Sequence, residues 1–164
     1  MTWETLAHEI AAVPRWYHRI ELAPGVVTPG CDDTPGKLAI LDGLGFPADL
    51  IGQRVLDVGT CDGAFAFEAE RRGAAVTALD INPPEANGFA LAARVLGSRV
   101  AYQQRCAYTV HPATDGLFDV VLFLGVLYHL RHPLLALDRM RQVIRPGGLL
   151  LIDTHSIEPG LCVR

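Results

Sequence analysis

The chain has 164 residues, half of them hydrophobic, with 18 acidic residues against 14 basic ones and a formal net charge of -4. This length predicts one compact domain that buries about two thirds of its unfolded surface and needs no disulfide or metal to fold. The acidic balance argues against nucleic-acid binding, because it provides no basic surface for a phosphate backbone. The longest uncharged apolar stretch, 120–128, is far shorter than the roughly 18 residues of a membrane helix.

The cysteines indicate neither metal nor redox chemistry. They stand alone at positions 31, 61, 106 and 162, without the two-residue spacing of a zinc knuckle or a thioredoxin-type motif. The opening residues Met-Thr-Trp-Glu carry neither the positive nor the apolar segment of a signal peptide. Isolated thiols without an export signal predict a cytoplasmic protein, with no metal site and no membrane partner.

Residues 1–47 are predicted to form a helical and turn-rich segment in front of an α/β domain at 48–164. Leu6, Ile10 and Val13 recur at three- and four-residue steps, which predicts a short amphipathic helix. Prolines and glycines interrupt the residues after it. Because long irregular segments in compact domains are often functional, we interpret this segment as a lid.

From about residue 53, short apolar runs alternate with helical stretches. The runs predict strands at 55–58, 76–80, 100–103, 118–124 and 149–153, and the segments between them predict helices at 64–72, 84–96 and 133–144. This alternation is typical of a doubly wound, Rossmann-like parallel sheet covered on both faces. With strand order 3-2-1-4-5 the fifth strand is an exposed apolar edge, which predicts a homodimer or heteromer through that edge.

A glycine-rich loop, Gly-Thr-Cys-Asp-Gly at 59–63, follows the first predicted strand. A dinucleotide-binding loop would carry a glycine at Cys61, and Asp62 places a negative charge where a pyrophosphate would lie. That charge favours a cationic, zwitterionic ligand. Asp80 ends the second predicted strand, where an acid normally accepts hydrogen bonds from ribose hydroxyls. Together with Asp57, these acids suit a nucleoside that carries an amino acid and a sulfonium, which is S-adenosylmethionine.

The same motifs resemble motifs one and two of the class I S-adenosylmethionine-dependent methyltransferases. The resemblance covers about residues 55–153 and includes Arg-Pro-Gly-Gly at 145–148. The stretches 118–121, 125–129 and 133–134 resemble the group that includes the bacterial tRNA wobble-uridine carboxymethyltransferase, and 16–22 and 25–30 resemble uncharacterised relatives of that enzyme. The resemblance implies the class I methyltransferase fold, S-adenosylmethionine as cofactor, and S-adenosylhomocysteine as product.

Position by position, the resemblance implies a set of cofactor-binding residues at the strand ends. Within it, Gly59, Asp62 and Gly63 would hold the methionine moiety, and Asp80 the ribose. For Asp57 an alternative stays open, in which it is a buried acid that serves the amides of the loop. The complete set is Asp57, Gly59, Thr60, Asp62, Gly63, Asp80, Ile81, Asn82, Cys106, Ala107, Leu124 and Gly125.

Tyr128 and His129, just after the fourth predicted strand, are the candidate catalytic residues. Methyl transfer needs a base only when the acceptor atom carries a proton. Alternatively, Tyr128 packs under the cofactor and His129 caps the next helix. The candidate acceptor-binding lid residues are Trp16, Tyr17, His18, Arg19 and Thr28. The alternative for the 16–18 cluster is the apolar face of a docked helix.

Two departures from the resembled group leave several functions open. The carboxymethyl-transferring enzyme binds the extra carboxylate through basic and aromatic groups of the segment before the sheet, and Lys37 is the only lysine here. This favours methyl transfer to an oxygen or nitrogen of a small molecule over carboxymethyl transfer. Arg15 and Arg19 keep a tRNA-modifying carboxymethyltransferase as the alternative. The sequence also stops soon after the fifth predicted strand, so the C-terminal antiparallel hairpin of the family is expected to be absent. That absence motivates a third hypothesis, a cofactor-binding but catalytically silent partner subunit.

Overall fold

The computed structural model describes residues 2–155. Its elements, in chain order, are α1 (Trp3–Ala12), β1 (Glu21–Ala23), β2 (Val26–Val27), α2 (Thr34–Gly43), β3 (Arg54–Val58), α3 (Ala64–Arg71), β4 (Ala75–Asp80), α4 (Phe89–Leu96), β5 (Ala101–Gln104), α5 (Pro112–Asp115), β6 (Phe118–Leu124), α6 (Pro133–Val143) and β7 (Ile144–Asp153). Two short 3-10 helices span Ala107–Thr109 and Leu127–His129.

The main sheet has five parallel strands in the order β5-β4-β3-β6-β7. This confirms the predicted doubly wound α/β fold and its strand order. The central strand β3 is buried on both faces, because Val55 packs into one hydrophobic cluster and Leu56 into the other. Such two-sided burial is why the strands appear in the sequence as almost continuous apolar runs.

Two predicted boundaries are wrong. Helix α4 begins at Phe89 rather than at residue 84, because residues 83–86 form a turn in which Ala86 N donates to Pro83 O at 3.0 Å, and the Gly88 backbone after it lies directly on the Trp16 ring. A Cβ on Gly88 would come within 2.0 Å of that ring. Strand β7 begins at Ile144 rather than at residue 149, since Ile144 pairs with Phe118 across a bulge formed by 145–148.

The N-terminal segment is more regular than predicted. Helix α1 is confirmed, but the sequence analysis did not find the β1–β2 hairpin or α2. Helix α2 begins after Asp33, whose carboxylate accepts a hydrogen bond from Gly36 N at 3.3 Å. Leu6, Trp16 and Leu41 share one hydrophobic cluster with Val55 of the sheet. The core is therefore continuous across residue 47, and the proposed division of the chain there stays a prediction.

Strand β7 is an edge of the sheet and pairs, within residues 2–155, with β6. Its Ile152 side chain is exposed. Association through this edge stays a prediction, as does the expected absence of a hairpin, since residues 156–164 lie outside the described part. None of the helices described is both long and apolar enough to cross a membrane.

Candidate functional site

A cavity of about 560 Å³ lies at the carboxyl ends of β3, β4 and β6. In open α/β sheets ligands bind at this edge, where the strand order reverses on either side of the central strand. Here the chain passes from β3 to β4 on one side, and β6 occupies the other. The topology therefore brings the loop at 59–63, the end of β4 and the end of β6 to one place.

The loop after β3 presents its backbone to the cavity. Gly59 has a φ of 75°, and a Cβ there would come within 2.3 Å of the Val126 side chain. Cys61 also has a positive φ, 55°, and is the one non-glycine residue with a positive φ among those described. Gly59 N donates to Leu79 O at 2.7 Å, which ties the loop to β4. Cys61 thus takes a strained conformation that a glycine would adopt freely.

Asp80 holds this loop through a hydrogen bond and faces the cavity. Its Oδ2 accepts a hydrogen bond from Cys61 N at 3.0 Å. Its Oδ1 accepts from Asn82 N at 2.9 Å and from Asn82 Nδ2 at 3.1 Å. A carboxylate has about four acceptor positions, so Asp80 retains capacity for a ligand hydroxyl. Its side chain and that of Asn82 both line the cavity.

Asp57 lies behind the loop and does not line the cavity. Its carboxylate accepts the Thr60 hydroxyl at 2.7 Å. Burial raises the pKa of Asp57 from 3.8 to about 6, because the charged form is removed from water. The placement favours the alternative in which Asp57 serves the loop. Gly63 is likewise behind the surface, where the Phe67 and Phe89 rings leave no room for a Cβ.

Asp62 points away from the cavity and holds the N-terminal segment. It is fully buried and accepts hydrogen bonds from Tyr17 N at 2.7 Å, His18 N at 2.9 Å and His18 Nδ1. Burial alone would raise the pKa of Asp62, but the bonds from the His18 side chain and the two backbone groups outweigh it and lower the pKa. Asp62 therefore holds Tyr17 and His18 against the cavity wall.

Two opposite parts of the cavity wall are formed by different elements. Ile81 is 68% exposed and lies opposite the segment that contains Cys106 and Ala107. On the other side the Tyr128 ring packs between those of His129 and His155, with centroid distances of 4.2 and 4.3 Å. The histidine rings and Tyr128 give this side an aromatic, hydrogen-bonding surface.

The structure brings most of the predicted site residues to one cavity. Those that line it are Tyr17, His18, Gly59, Asp80, Ile81, Asn82, Cys106, Ala107, Leu124, Gly125, Tyr128 and His129. Those that do not line it are Trp16, Arg19, Thr28, Asp57, Thr60, Asp62 and Gly63. The docked-helix alternative for 16–18 is wrong, since α1 ends at Ala12 and these residues follow it in an irregular stretch.

Trp16 is structural. Its Nε1 donates to Ile10 O at 3.0 Å, and its buried ring contacts Gly88. The sequence analysis did not place Lys37, Arg105 or His155 at the site, although all three line the cavity. Arg105 and His155 could have been predicted as site residues, because each follows the end of a strand at the edge of the sheet where ligands bind.

His18, Cys61 and Asp62 place their potential ligand atoms within 4.8 Å of one another. That spacing alone would be compatible with a metal ion. However, His18 Nδ1 is bonded directly to the Asp62 carboxylate. Burial also raises the pKa of the Cys61 thiol to about 12, which disfavours the thiolate that metals bind. His18 and Asp62 therefore form a hydrogen-bonded pair, with a protonated Cys61 thiol beside it, rather than a ligand set.

Comparison with known proteins identifies the family. The model of the family described as "Methyltransferase domain" matches residues 56–152. The chain belongs to this family. The match begins in β3 and ends in β7, so it includes the glycine-rich loop, Asp80 and the ends of β5 and β6. The cavity of this methyltransferase domain is thus lined by the strand ends that the family model covers.

Individual relatives are similar over most of the chain but are longer. A ubiquinone biosynthesis O-methyltransferase of Nitrosococcus oceani is 30% identical over 152 residues, which are 93% of this chain and 63% of that protein. A tRNA U34 carboxymethyltransferase of Syntrophotalea carbinolica is 34% identical over 112 residues, which are 68% of this chain and 35% of that protein. The N-terminal domain of EvdMO1 with SAH bound has the same fold, with a TM-score of 0.69 and 24% identity over 88% of this chain and 63% of that one.

Proposed function

We propose that this methyltransferase domain transfers a methyl group from S-adenosylmethionine to an oxygen or nitrogen atom of a small-molecule acceptor. The observation that carries the proposal is Asp80, a cavity-lining carboxylate at the end of β4 beside an open glycine-rich loop. An acid at this position is the one that binds ribose hydroxyls in nucleoside-binding α/β sheets. The SAH bound to the EvdMO1 domain supports the same cofactor here.

The cavity fits S-adenosylmethionine in size and offers a carboxylate for its ribose. Its volume of about 560 Å³ is in the range of small-ligand sites. Asp80 would hold the ribose, Ile81 and Ala107 the adenine, and the backbone near Gly59 the methionine part. The cofactor supplies a methyl group on a sulfonium, which leaves as a neutral thioether.

The protein's part in such a displacement is to align the acceptor and to exclude water. Tyr128 and His129 lie on the acceptor side of the cavity, on the 3-10 helix that follows β6. Both side chains are exposed, so an acceptor that enters the cavity can reach them. The assignment of Tyr128 and His129 as catalytic residues stays a sequence-based prediction, and a location in the cytoplasm is part of the proposal.

Calorimetric titration with S-adenosylmethionine and S-adenosylhomocysteine tests the proposal. Both should bind, and Asp80→Ala should weaken binding by about 1–3 kcal/mol, or roughly 5- to 150-fold, through the loss of ribose hydrogen bonds. Asp138→Ala is the control, because Asp138 is an exposed acid on α6 that does not line the cavity. A folded protein that binds neither compound would refute the proposed function.

The tRNA U34 carboxymethyltransferase relative favours a second candidate, modification of tRNA. The net charge of -4 argues against it, since phosphate neutralisation dominates nucleic-acid affinity. Filter binding at low salt decides between the two. Tight binding of tRNA with a steep salt dependence would favour the second candidate, and weak binding the small-molecule acceptor.

A further inference from the structure

We propose that His18 is the general base of this site and that Asp62 is its positioning residue. The inference rests on the proposed methyl transfer and narrows the acceptor to one whose oxygen or nitrogen loses a proton during the reaction. It also moves the catalytic base from the segment after β6, where the sequence motifs placed it, to the N-terminal segment.

His18 is buried but reaches the cavity. Its ring lies edge-on to Phe65 and to Tyr17, with centroid distances of 5.1 and 4.9 Å. Its Nδ1 is hydrogen-bonded to the Asp62 carboxylate. Its Nε2 has no hydrogen-bond partner within residues 2–155 and is not among the fully buried unpartnered atoms there. The second ring nitrogen is therefore the one available to a molecule in the cavity.

The protonation of the pair follows from the bonds that Asp62 accepts. The backbone N–H groups of Tyr17 and His18 both donate to Asp62 Oδ2. An oxygen that accepts two N–H bonds is held as part of an ionised carboxylate. The bond between Asp62 and His18 Nδ1 must then carry its proton on the nitrogen. A neutral imidazole with the proton on Nδ1 has a free electron pair on Nε2, which is the form that accepts a proton.

The main chain around His18 is fixed as firmly as its ring. The Thr28 hydroxyl donates to His18 O at 2.7 Å and accepts from Ile20 N at 2.9 Å. Gly30 packs on the same carbonyl, since a Cβ there would come within 2.1 Å of it. The hairpin β1–β2 and the residues after it thus serve to hold one histidine, which gives a physical role to the motif at 25–30.

The other histidines of the cavity lack this arrangement. His129 and His155 line the cavity and stack on Tyr128, but neither has a carboxylate partner within the described residues 2–155. Both are exposed, whereas His18 is buried. A base works best when a third group fixes its orientation and stabilises the cation that forms. Among the three, His18 alone meets that condition in the described part of the chain.

Methyl transfer to the acceptor is coupled to proton transfer to His18. The acceptor oxygen or nitrogen forms a bond to the methyl carbon while the bond from that carbon to the sulfonium sulfur breaks. The acceptor proton passes to His18 Nε2, and the electron pair of the broken bond stays on sulfur, which becomes a neutral thioether. The imidazolium that results lies against the Asp62 carboxylate, and it returns its proton to solvent after product release.

The kinetic test compares acceptors that lose a proton with one that does not. Phenols and catechols lose their hydroxyl proton when they are methylated, whereas iodide is methylated without proton transfer. His18→Gln should lower kcat for the proton-bearing acceptors about 10²- to 10⁴-fold, and Asp62→Asn should do so to a smaller extent. The rate with iodide and the affinity for S-adenosylhomocysteine should remain within about threefold of the wild type. His8→Gln, an exposed histidine on α1 that does not line the cavity, is the matched control.

The kinetic outcomes discriminate between bases. Equal loss of rate with phenols and with iodide would indicate a structural role and overturn the proposal. A loss that follows His129→Gln and not His18→Gln would also overturn it. Because both residues can be replaced without a change in charge, circular dichroism and S-adenosylhomocysteine binding show whether each variant has folded.

A second measurement requires no acceptor. In ¹⁵N-labelled wild-type protein with S-adenosylhomocysteine bound, long-range ¹H–¹⁵N spectra should show His18 protonated on Nδ1 and bare on Nε2, with signals assigned by their loss in His18→Gln. The opposite tautomer would overturn the proposal even where the cofactor binds normally. Failure to bind either S-adenosylmethionine or S-adenosylhomocysteine would instead refute the proposed function as a whole. The two failures are thus distinguished.

Discussion

The buried carboxylate of Asp57 should make the protein less stable as the pH rises from about 4 to about 6. Its pKa is 3.8 in an exposed setting and about 6 in the folded protein, because burial disfavours the charged form. A raised pKa in the folded state means that folding is favoured while Asp57 is protonated. That contribution is complete below the lower pKa and is lost by the time the pH passes the higher one. At 1.36 kcal/mol per pKa unit the loss amounts to about 3 kcal/mol.

Asp57→Asn isolates this effect because the amide does not titrate. Any fixed cost of the amide cancels when the free energies of unfolding of variant and wild type are compared at two pH values. Between about pH 4.5 and about pH 7.5, the variant should gain about 2 kcal/mol relative to the wild type. Urea denaturation at both pH values measures the difference. Asp49→Asn is the control, since it makes the same chemical change at an exposed site.

A difference between Asp57→Asn and wild type that stays constant within about 0.5 kcal/mol across this range would refute the reasoning. It would mean that Asp57 has the same affinity for a proton in both states, and therefore that water reaches the carboxylate in the folded protein. The same titration repeated with S-adenosylhomocysteine present would show whether the ligand lowers the proton affinity of Asp57.

Two further predictions concern the backbone of the site. Cys61→Gly should raise the free energy of unfolding by about 1 kcal/mol, because glycine adopts a positive φ without strain, whereas Cys61→Val should lower it by about 2 kcal/mol. A valine variant more stable than the glycine variant would contradict the assignment of strain. Gly88→Ala should cost about 1–3 kcal/mol through the clash with Trp16, whereas Gly43→Ala, in α2 with open space around it, should stabilise by up to about 1 kcal/mol. Thermal or urea unfolding measures the stability of both pairs of variants. Equal effects of Gly88→Ala and Gly43→Ala would show that the Trp16 ring moves aside at little energetic cost.

The sheet could be predicted because its strands are buried on both faces. Val120, Val121 and Leu122 are all fully covered, so the sequence of β6 is apolar without alternation and its length limits the helical alternative. The N-terminal elements lack such a pattern. Strands β1 and β2 have three and two residues, too few for any periodicity, and their pairing depends on contacts with the rest of the fold. The first turn of helix α2 contains Pro35 and Gly36, which are equally typical of a turn.

The role of Asp62 could not have been predicted from spacing. The sequence analysis correctly identified an acid beside the glycine-rich loop, but it assigned the charge to the ligand. In the structure the carboxylate is bonded to Tyr17 and His18, 45 and 44 residues earlier in the chain. Local patterns predict which residues share a strand end, whereas a partner that arrives from a separate segment depends on how the whole chain packs. Of the three acids near the loop, only Asp80 lines the cavity.

The loop after β3 accordingly combines several features that reduce stability. Asp57 is an ionisable group buried away from water, and Cys61 has a left-handed backbone conformation that most residues avoid. Neither contributes a buried apolar contact of the kind that stabilises the sheet. Perturbed titratable groups and strained backbone occur together at functional sites, where the surrounding structure holds them in place. The stability of β4, which holds the loop through Leu79 and Asp80, offsets these costs and keeps the loop open to a ligand. Variants that relieve the costs should thus gain stability and lose affinity for S-adenosylhomocysteine, and Asp57→Asn tests both in one protein.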